Sequence, residues 1–191
     1  MIKGKKVGLI AIERKMLGKL KEWRNNPELR KVFREYRELN SDHQEKWFES
    51  KVMNDSCTVM FAIKPIKWEP QKKDDDHIIG VCGLCYIDWV HRLGEFSIYI
   101  GDEKYTSGGY GSEALRLLCA YGFDNLNLHK IWGEIYTLNE QRYEMFKHIG
   151  FQDEGLLKEV HFHEGKYYDS HMVGMFRKEY EEYVLPKLKE N

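Results

Sequence analysis

The chain lacks any apolar run near the roughly twenty residues that a membrane-spanning helix needs. Its start, Met1-Ile2-Lys3-Gly4-Lys5-Lys6, has no apolar segment of signal-peptide type. A cytoplasmic protein is expected, with no membrane partner. Net charge is also missing: 30 Lys and Arg face 31 Asp and Glu, giving −1 at pH 7. No broad basic field is therefore present to attract nucleic acid or an anionic surface. Internal repeats and low-complexity stretches are absent. The 191 residues suffice for one substantial core and are short for two. A single domain over 1–191 is expected, ending in a charged tail over 178–191.

Cysteine is sparse, with Cys57, Cys82, Cys85 and Cys119. Cys82 and Cys85 have the spacing of a redox or half-zinc pair, but the run Ile78 to Tyr86 reads as a buried strand, where residues three apart point to opposite faces. Core cysteines are the better reading. His161 and His163 share one face of a strand, yet no third ligand stands nearby at metal-binding spacing. A solvated strand face near a site mouth is expected there, and no metal.

Strands are predicted over Val7 to Ile12, Thr58 to Pro65, Ile78 to Asp88, Phe96 to Ile100 and Lys130 to Thr137. A final hairpin is predicted within Val160 to Phe176. Helical periodicity covers Arg14 to Arg24, a piece from Pro27 through Phe33, a third from Ser41 to Val52, then Gly111 to Asn125 and Asn139 to His148. Trp68 to Asp76 has the character of an exposed connection only.

The stretch Thr106-Ser107-Gly108-Gly109-Tyr110-Gly111-Ser112-Glu113-Ala114 follows the strand at Phe96 to Ile100 and opens a helix. Glycines at such a junction let the unpaired first N–H groups of a helix converge on one point, which suits phosphate. The loop alone fits a phosphate cradle and a plain turn equally. It is not a dinucleotide fingerprint, because Ala114 stands where the third glycine belongs. Nor is it a P-loop, because it contains no lysine.

Thr106, Gly109, Tyr110 and Gly111 resemble motif A of the GNAT acyltransferase superfamily, with Thr106 in place of the usual Gln or Arg. The likeness continues through Val90 to Phe96, through Asn139, Arg142, Phe146, Gly150 and Phe151, and into Gly165-Lys166-Tyr167-Tyr168-Asp169. It implies an α/β fold of acyl-CoA acyltransferase type, with a mixed, mostly antiparallel sheet flanked by helices. It also implies acetyl transfer from acetyl-CoA to a primary amine by direct attack. Cofactor contacts would come from Ile98, Tyr99, Ile100, Thr106, Ser107, Gly108, Gly109, Tyr110, Gly111, Ser112, Asn139 and Phe146. An oxyanion donor would lie within Ser97 to Ile100. Glu95 is the expected general base, with Glu35, Glu38 and Asp42 as weaker candidates. The family's acid tyrosine is replaced by Phe146, and Tyr143 one turn earlier is its expected substitute.

Acceptor identity is less constrained. Trp23 to Glu28 and His43 to Phe48 resemble acetyltransferases of nucleotide-linked 4-amino sugars, and the helical spacing of Arg30, Arg34 and Arg37 favours an anionic acceptor. Tyr167, Tyr168 and Asp169 look equally like spermidine acetyltransferases. Ribosomal-protein N-termini and a noncatalytic acyl-CoA-binding module remain open. A homodimer is a modest expectation of the resemblance.

Overall fold

The computed structural model describes residues 1–67 and 77–189. The connection expected over Trp68 to Asp76 lies outside them. The strands are β1 (Ile2–Lys3), β2 (Val7–Ala11), β3 (Val59–Pro65), β4 (Gly80–Asp88), β5 (Leu93–Ile100), β6 (Lys130–Tyr136), β7 (Gln152–His163) and β8 (Lys166–Phe176). They form one sheet in the order β1-β2-β3-β4-β5-β6-β8-β7. Helices α1 (Leu17–Asn25), α2 (Pro27–Arg30) and α3 (Ser41–Trp47) precede β3, α4 (Tyr110–Ala120) follows β5, and α5 (Glu140–Ile149) follows β6. This is the mixed, mostly antiparallel sheet flanked by helices that the sequence predicts.

Among the described residues only β5 and β6 pair in parallel, and only through Leu93↔Lys130, Gly94↔Ile131 and Glu95↔Trp132. Beyond Glu95 the two strands part. Gly133 helps to open the gap, because the Phe96 ring lies across it: a Cβ there would stand 2.3 Å from Phe96 Cζ.

Alternation along the strands sorts side chains onto two faces. Leu9, Ile63, Cys82, Leu84, Phe96 and Ile98 share a core with Leu115, Leu118 and Phe146 of α4 and α5. Ala62, Val81 and Tyr99 point the other way, into a second core with Leu17, Leu20 and Trp23 of α1 and with Phe48. A fully buried leucine such as Leu20 or Leu118 contributes about 1.5–3 kcal/mol. The helices are thus held by their inward faces rather than by propensity alone. Among the described residues no helix is long and apolar enough to cross a membrane.

Several boundaries differ from expectation. Ile2–Lys3 adds a short first strand, so the strand preceding the glycine loop is β5. The Pro27 helix stops at Arg30 instead of reaching Phe33. The Asn25 side chain exchanges two 2.8 Å hydrogen bonds with the backbone of Leu39, which ties off a segment made of α2 and the irregular residues 31–38. Helix α3 does begin at Ser41, capped by Asn40, which accepts from the His43 N–H at 2.8 Å. The hairpin's first strand begins at Gln152 rather than near Val160. As the sheet's outer strand it leaves Leu156, Leu157 and Val160 exposed, so no buried alternation marks it. Its pairing shifts register at Asp153/Gly155 and Leu157/His161. The charged tail carries core residues: Tyr180 is buried against Phe123, with ring centroids 5.1 Å apart, and Val184 is buried too.

Candidate functional site

The glycine loop turns because Gly108 and Gly109 have φ of +79° and +82°, a region costly for any side chain. A Cβ at Gly109 would meet only Lys6 Nζ, at 3.5 Å, so space lies open in front of the N-terminus of α4. The first N–H groups of this helix have no partner within it. Thr106 turns its hydroxyl back on Glu103 O at 2.9 Å, away from the loop's mouth.

Lys6 reaches the loop from the far end of the chain and donates to Gly108 O at 2.6 Å. Its position is fixed by Glu113 in the first turn of α4. The Glu113 carboxylate accepts from the backbone N–H of Lys5 at 3.1 Å, Lys6 at 2.7 Å and Val7 at 2.8 Å. The cation missing from the loop's own sequence is therefore supplied by the β1–β2 turn.

A cavity of about 330 Å³ occupies the gap between β5 and β6 and opens on both faces of the sheet. Phe96, Ile98, Asn139, Arg142 and Phe146 line it on the α5 side. Phe146 is buried and stacks on Phe96, with centroids 4.6 Å apart, so a hydrocarbon wall stands where a phenol is usual. Asn139 caps α5, its Oδ1 accepting from Arg142 N at 3.1 Å. The Arg142 guanidinium donates to Ile98 O on the open edge of β5. Burial pulls its pKa down to about 10.

On the opposite face lie Glu95, Ser97 and Tyr99 of β5, Glu134 and Tyr136 of β6, Cys85 of β4 and residues of the α2–α3 loop. Glu95 is 7% exposed, not a solvated strand-edge carboxylate. Arg34 holds both of its oxygens, at 3.0 and 2.6 Å, and reaches Glu134 at 2.8 Å. Desolvation, the largest influence on Arg34, pulls its pKa down, yet hydrogen bonds and charge from the two carboxylates outweigh it and the net shift is upward. Glu35 also lines the cavity. Its hydrogen bond to Arg37 is the largest influence holding its pKa at about 2.

Four expectations change with these contacts. Arg30, Arg34 and Arg37 are each paired with carboxylates, namely Glu38, Glu95 with Glu134, and Glu35, so they do not form a vacant anion site. Tyr143 does not line the cavity. Its ring stacks on His171, with centroids 3.9 Å apart, and burial followed by Asp153 raises its pKa. Lying three residues from Phe146, it faces β8 instead of the gap. His161 is half-buried rather than fully solvated: it stacks on Tyr136 with centroids 3.8 Å apart and bonds Lys31 O at 3.0 Å. Glu38 and Asp42 are absent from the cavity wall, whereas Glu35 belongs to it. Lys6, Arg34 as the partner of Glu95, and Glu134 had no local signal. Strand alternation from Trp132 could have placed Glu134 beside Glu95 once β5 and β6 were taken as neighbours.

Among the described residues no group of His, Cys, Asp and Glu could hold a metal ion. The family model described as "Acetyltransferase (GNAT) domain" matches residues 6–152. The chain is 32% identical over 108 residues to p20 of Bacillus licheniformis, named an uncharacterized N-acetyltransferase, covering 56% of this chain and 60% of the relative. It is 33% identical over 106 residues to spermidine N(1)-acetyltransferase of Escherichia coli K12, covering 56% of each. These matches span less than two thirds of each relative. The crystal structure of spermidine N-acetyltransferase from Vibrio cholerae with CoA and spermine superposes with a TM-score of 0.80. That alignment has 26% identity and covers 92% of this chain and 98% of the other.

Proposed function

The chain belongs to the GNAT acetyltransferase family, and we propose that it moves acetyl from acetyl-CoA to a primary amine of a small molecule. The cavity at the gap in the sheet supports this reading, with Asn139, Arg142 and Phe146 of the α5 side on one face and Glu95 with Glu134 on the other.

Acetyl-CoA would supply the activated acetyl thioester. The chain's residues fit it. Two left-handed glycines keep the mouth of α4 free of side chains, and the helix N-terminus with Lys6 suits a pyrophosphate. Gly108 to Ser112 would hold that end, with Asn139 and the open β5 edge from Ser97 to Ile100 along the cavity. An N–H on this edge is a ready donor for developing negative charge.

Glu95 is the base in this proposal. A lysine-like amine has a pKa near ~10 and must lose a proton before it attacks. Glu95 can accept that proton only after Arg34 releases its oxygens. An ammonium group can replace the guanidinium because it brings the same charge to the same two carboxylates. The pairing of all three loop arginines removes the argument for a nucleotide-linked amino sugar, and the relatives named spermidine acetyltransferases support a cationic, polyamine-type acceptor instead.

The test is release of CoA thiol from acetyl-CoA with spermidine, UDP-linked amino sugars and short peptides. The expected result is release with spermidine, reduced ~100-fold or more in Glu95→Gln. Acetyl-CoA binding without release to any amine would overturn transfer and leave a noncatalytic acyl-CoA-binding module.

A further inference from the structure

We propose that the Arg142 guanidinium receives the departing CoA thiolate, supplying with a fixed charge what a phenol at position 146 would supply with a proton. This rests on the acetyl-CoA reading above. Arg142 and Phe146 are four residues apart on α5 and share one face of the helix. Both line the cavity at the gap in the sheet. The hydrocarbon ring of Phe146 cannot donate a proton, and Tyr143 faces elsewhere.

Arg142 differs from Arg34 and Lys51, and unlike Arg24, which lies over the Phe33 ring, it stands on the α5 side of the cavity beside Phe146. Arg34 is paired with Glu95 and Glu134, and Lys51 with Asp55. Arg142 donates to the neutral Ile98 carbonyl, and among the described residues no carboxylate pairs with it. Burial lowers its pKa only to about 10, so it stays cationic at neutral pH. A desolvated cation without a counter-ion is unfavourable, and an arriving anion relieves it.

In the transfer itself, a bond forms between the amine nitrogen and the acetyl carbon as the carbon–sulfur bond breaks. Sulfur leaves with the electron pair beside Arg142. The nitrogen gives up two protons in turn, one before it attacks and one after the new bond has formed, and each passes by way of Glu95 to water. No acid at position 146 is needed for this balance.

The test compares the affinities of CoA and acetyl-CoA for the free protein by calorimetry between about pH 6 and pH 9.5, bracketing a free thiol near ~8.5. If a cation faces the sulfur, the bound thiol ionises at lower pH. CoA then gains on acetyl-CoA as pH rises, by about tenfold for each pH unit that separates ionisation of the bound thiol from that of the free one. The other titratable and charged groups facing the cavity, Cys85, Tyr86, Glu95, Tyr99, Glu134, Tyr136, Arg24, Arg34, Glu35 and Lys51, meet both ligands, so the ratio removes what they contribute to binding the shared parts, and Arg142→Gln separates the pull of Arg142 on the thiol from theirs.

The expected result is a rising ratio in the wild type, a flat one in Arg142→Gln, and a partial rise in Arg142→Lys. A flat ratio in the wild type overturns the proposal without any variant, as does an equal rise in Arg142→Gln. Failure of both ligands to bind would overturn the acetyl-CoA reading itself, whereas binding with a flat ratio defeats only the role of Arg142.

Discussion

Replacing Glu113 with alanine should weaken both the fold and the cofactor site. Its carboxylate accepts from three consecutive backbone N–H groups, those of Lys5, Lys6 and Val7. Val7 is fully buried, so water cannot take over that contact, and an orphaned buried donor costs about 1–3 kcal/mol. Lys5 and Lys6 are exposed and can turn to solvent, so each loses less, about 0.5 kcal/mol. The substitution also removes a favourable charge near a helix N-terminus, about 0.3–1 kcal/mol. The sum, about 2–5 kcal/mol, lowers the melting temperature of a chain this size by roughly 2–4 °C per kcal/mol. Thermal unfolding followed by circular dichroism should show a drop of about 4–20 °C by this arithmetic. The same change frees the turn that carries Lys6, so CoA affinity falls as well. Lys6→Met separates the two effects: it should weaken CoA several-fold, spare pantetheine, which lacks the pyrophosphate, and leave the melting temperature in place. A Glu113→Ala protein melting within a degree of the wild type would refute the three-donor anchor. Equal loss of CoA and pantetheine in Lys6→Met would refute the phosphate contact.

Gly133→Ala should destabilise by about 1–3 kcal/mol, the range for overpacking, as a shift in the urea midpoint. Its methyl would stand 2.3 Å from Phe96 Cζ, and that ring is held by Phe146 and Phe151, with centroids 4.6 and 5.0 Å away; an unchanged midpoint would show that the ring has room to move. Cys85 should resist alkylation at pH 8. Burial, then the charge of Glu95, raises its pKa to about 11, which makes its thiolate roughly two hundredfold scarcer than that of a free thiol at ~8.5. Its labelling by iodoacetamide, followed by peptide mass, should climb steadily toward pH 11, and a rate at pH 8 matching that of glutathione would refute the burial argument.

The parts of this molecule governed by local rules were legible in the sequence. The glycine loop, the apolar runs of β4 and β5, and the Asn139 cap that starts α5 each depend on residues within a few positions of one another. Tertiary contacts were not legible. Lys6 lies 102 residues from Gly108, and Arg34 lies 61 from Glu95. Helical spacing made Arg30, Arg34 and Arg37 look like one basic stripe, but residues 31–40 are not helical and each arginine meets a carboxylate. Tyr143 failed for a geometric reason: three residues from Phe146 places it near the same stripe of α5, while Arg142, four residues away, is the one that reaches the gap. The part of the outer strand β7 that precedes Val160 was missed because it has no buried face to leave a pattern.

The two-sided gap divides the molecule's evolutionary freedom. The glycine loop and Glu113 are tied to the core through α4 and buried Val7, so substitution there would disturb folding and the proposed donor site together. Arg34 and Glu35 sit on an irregular loop of mostly exposed and half-buried residues on the opposite face of the sheet. New acceptors can be accommodated by rewriting this loop while the opposite face stays untouched, which is how one scaffold can host many chemistries.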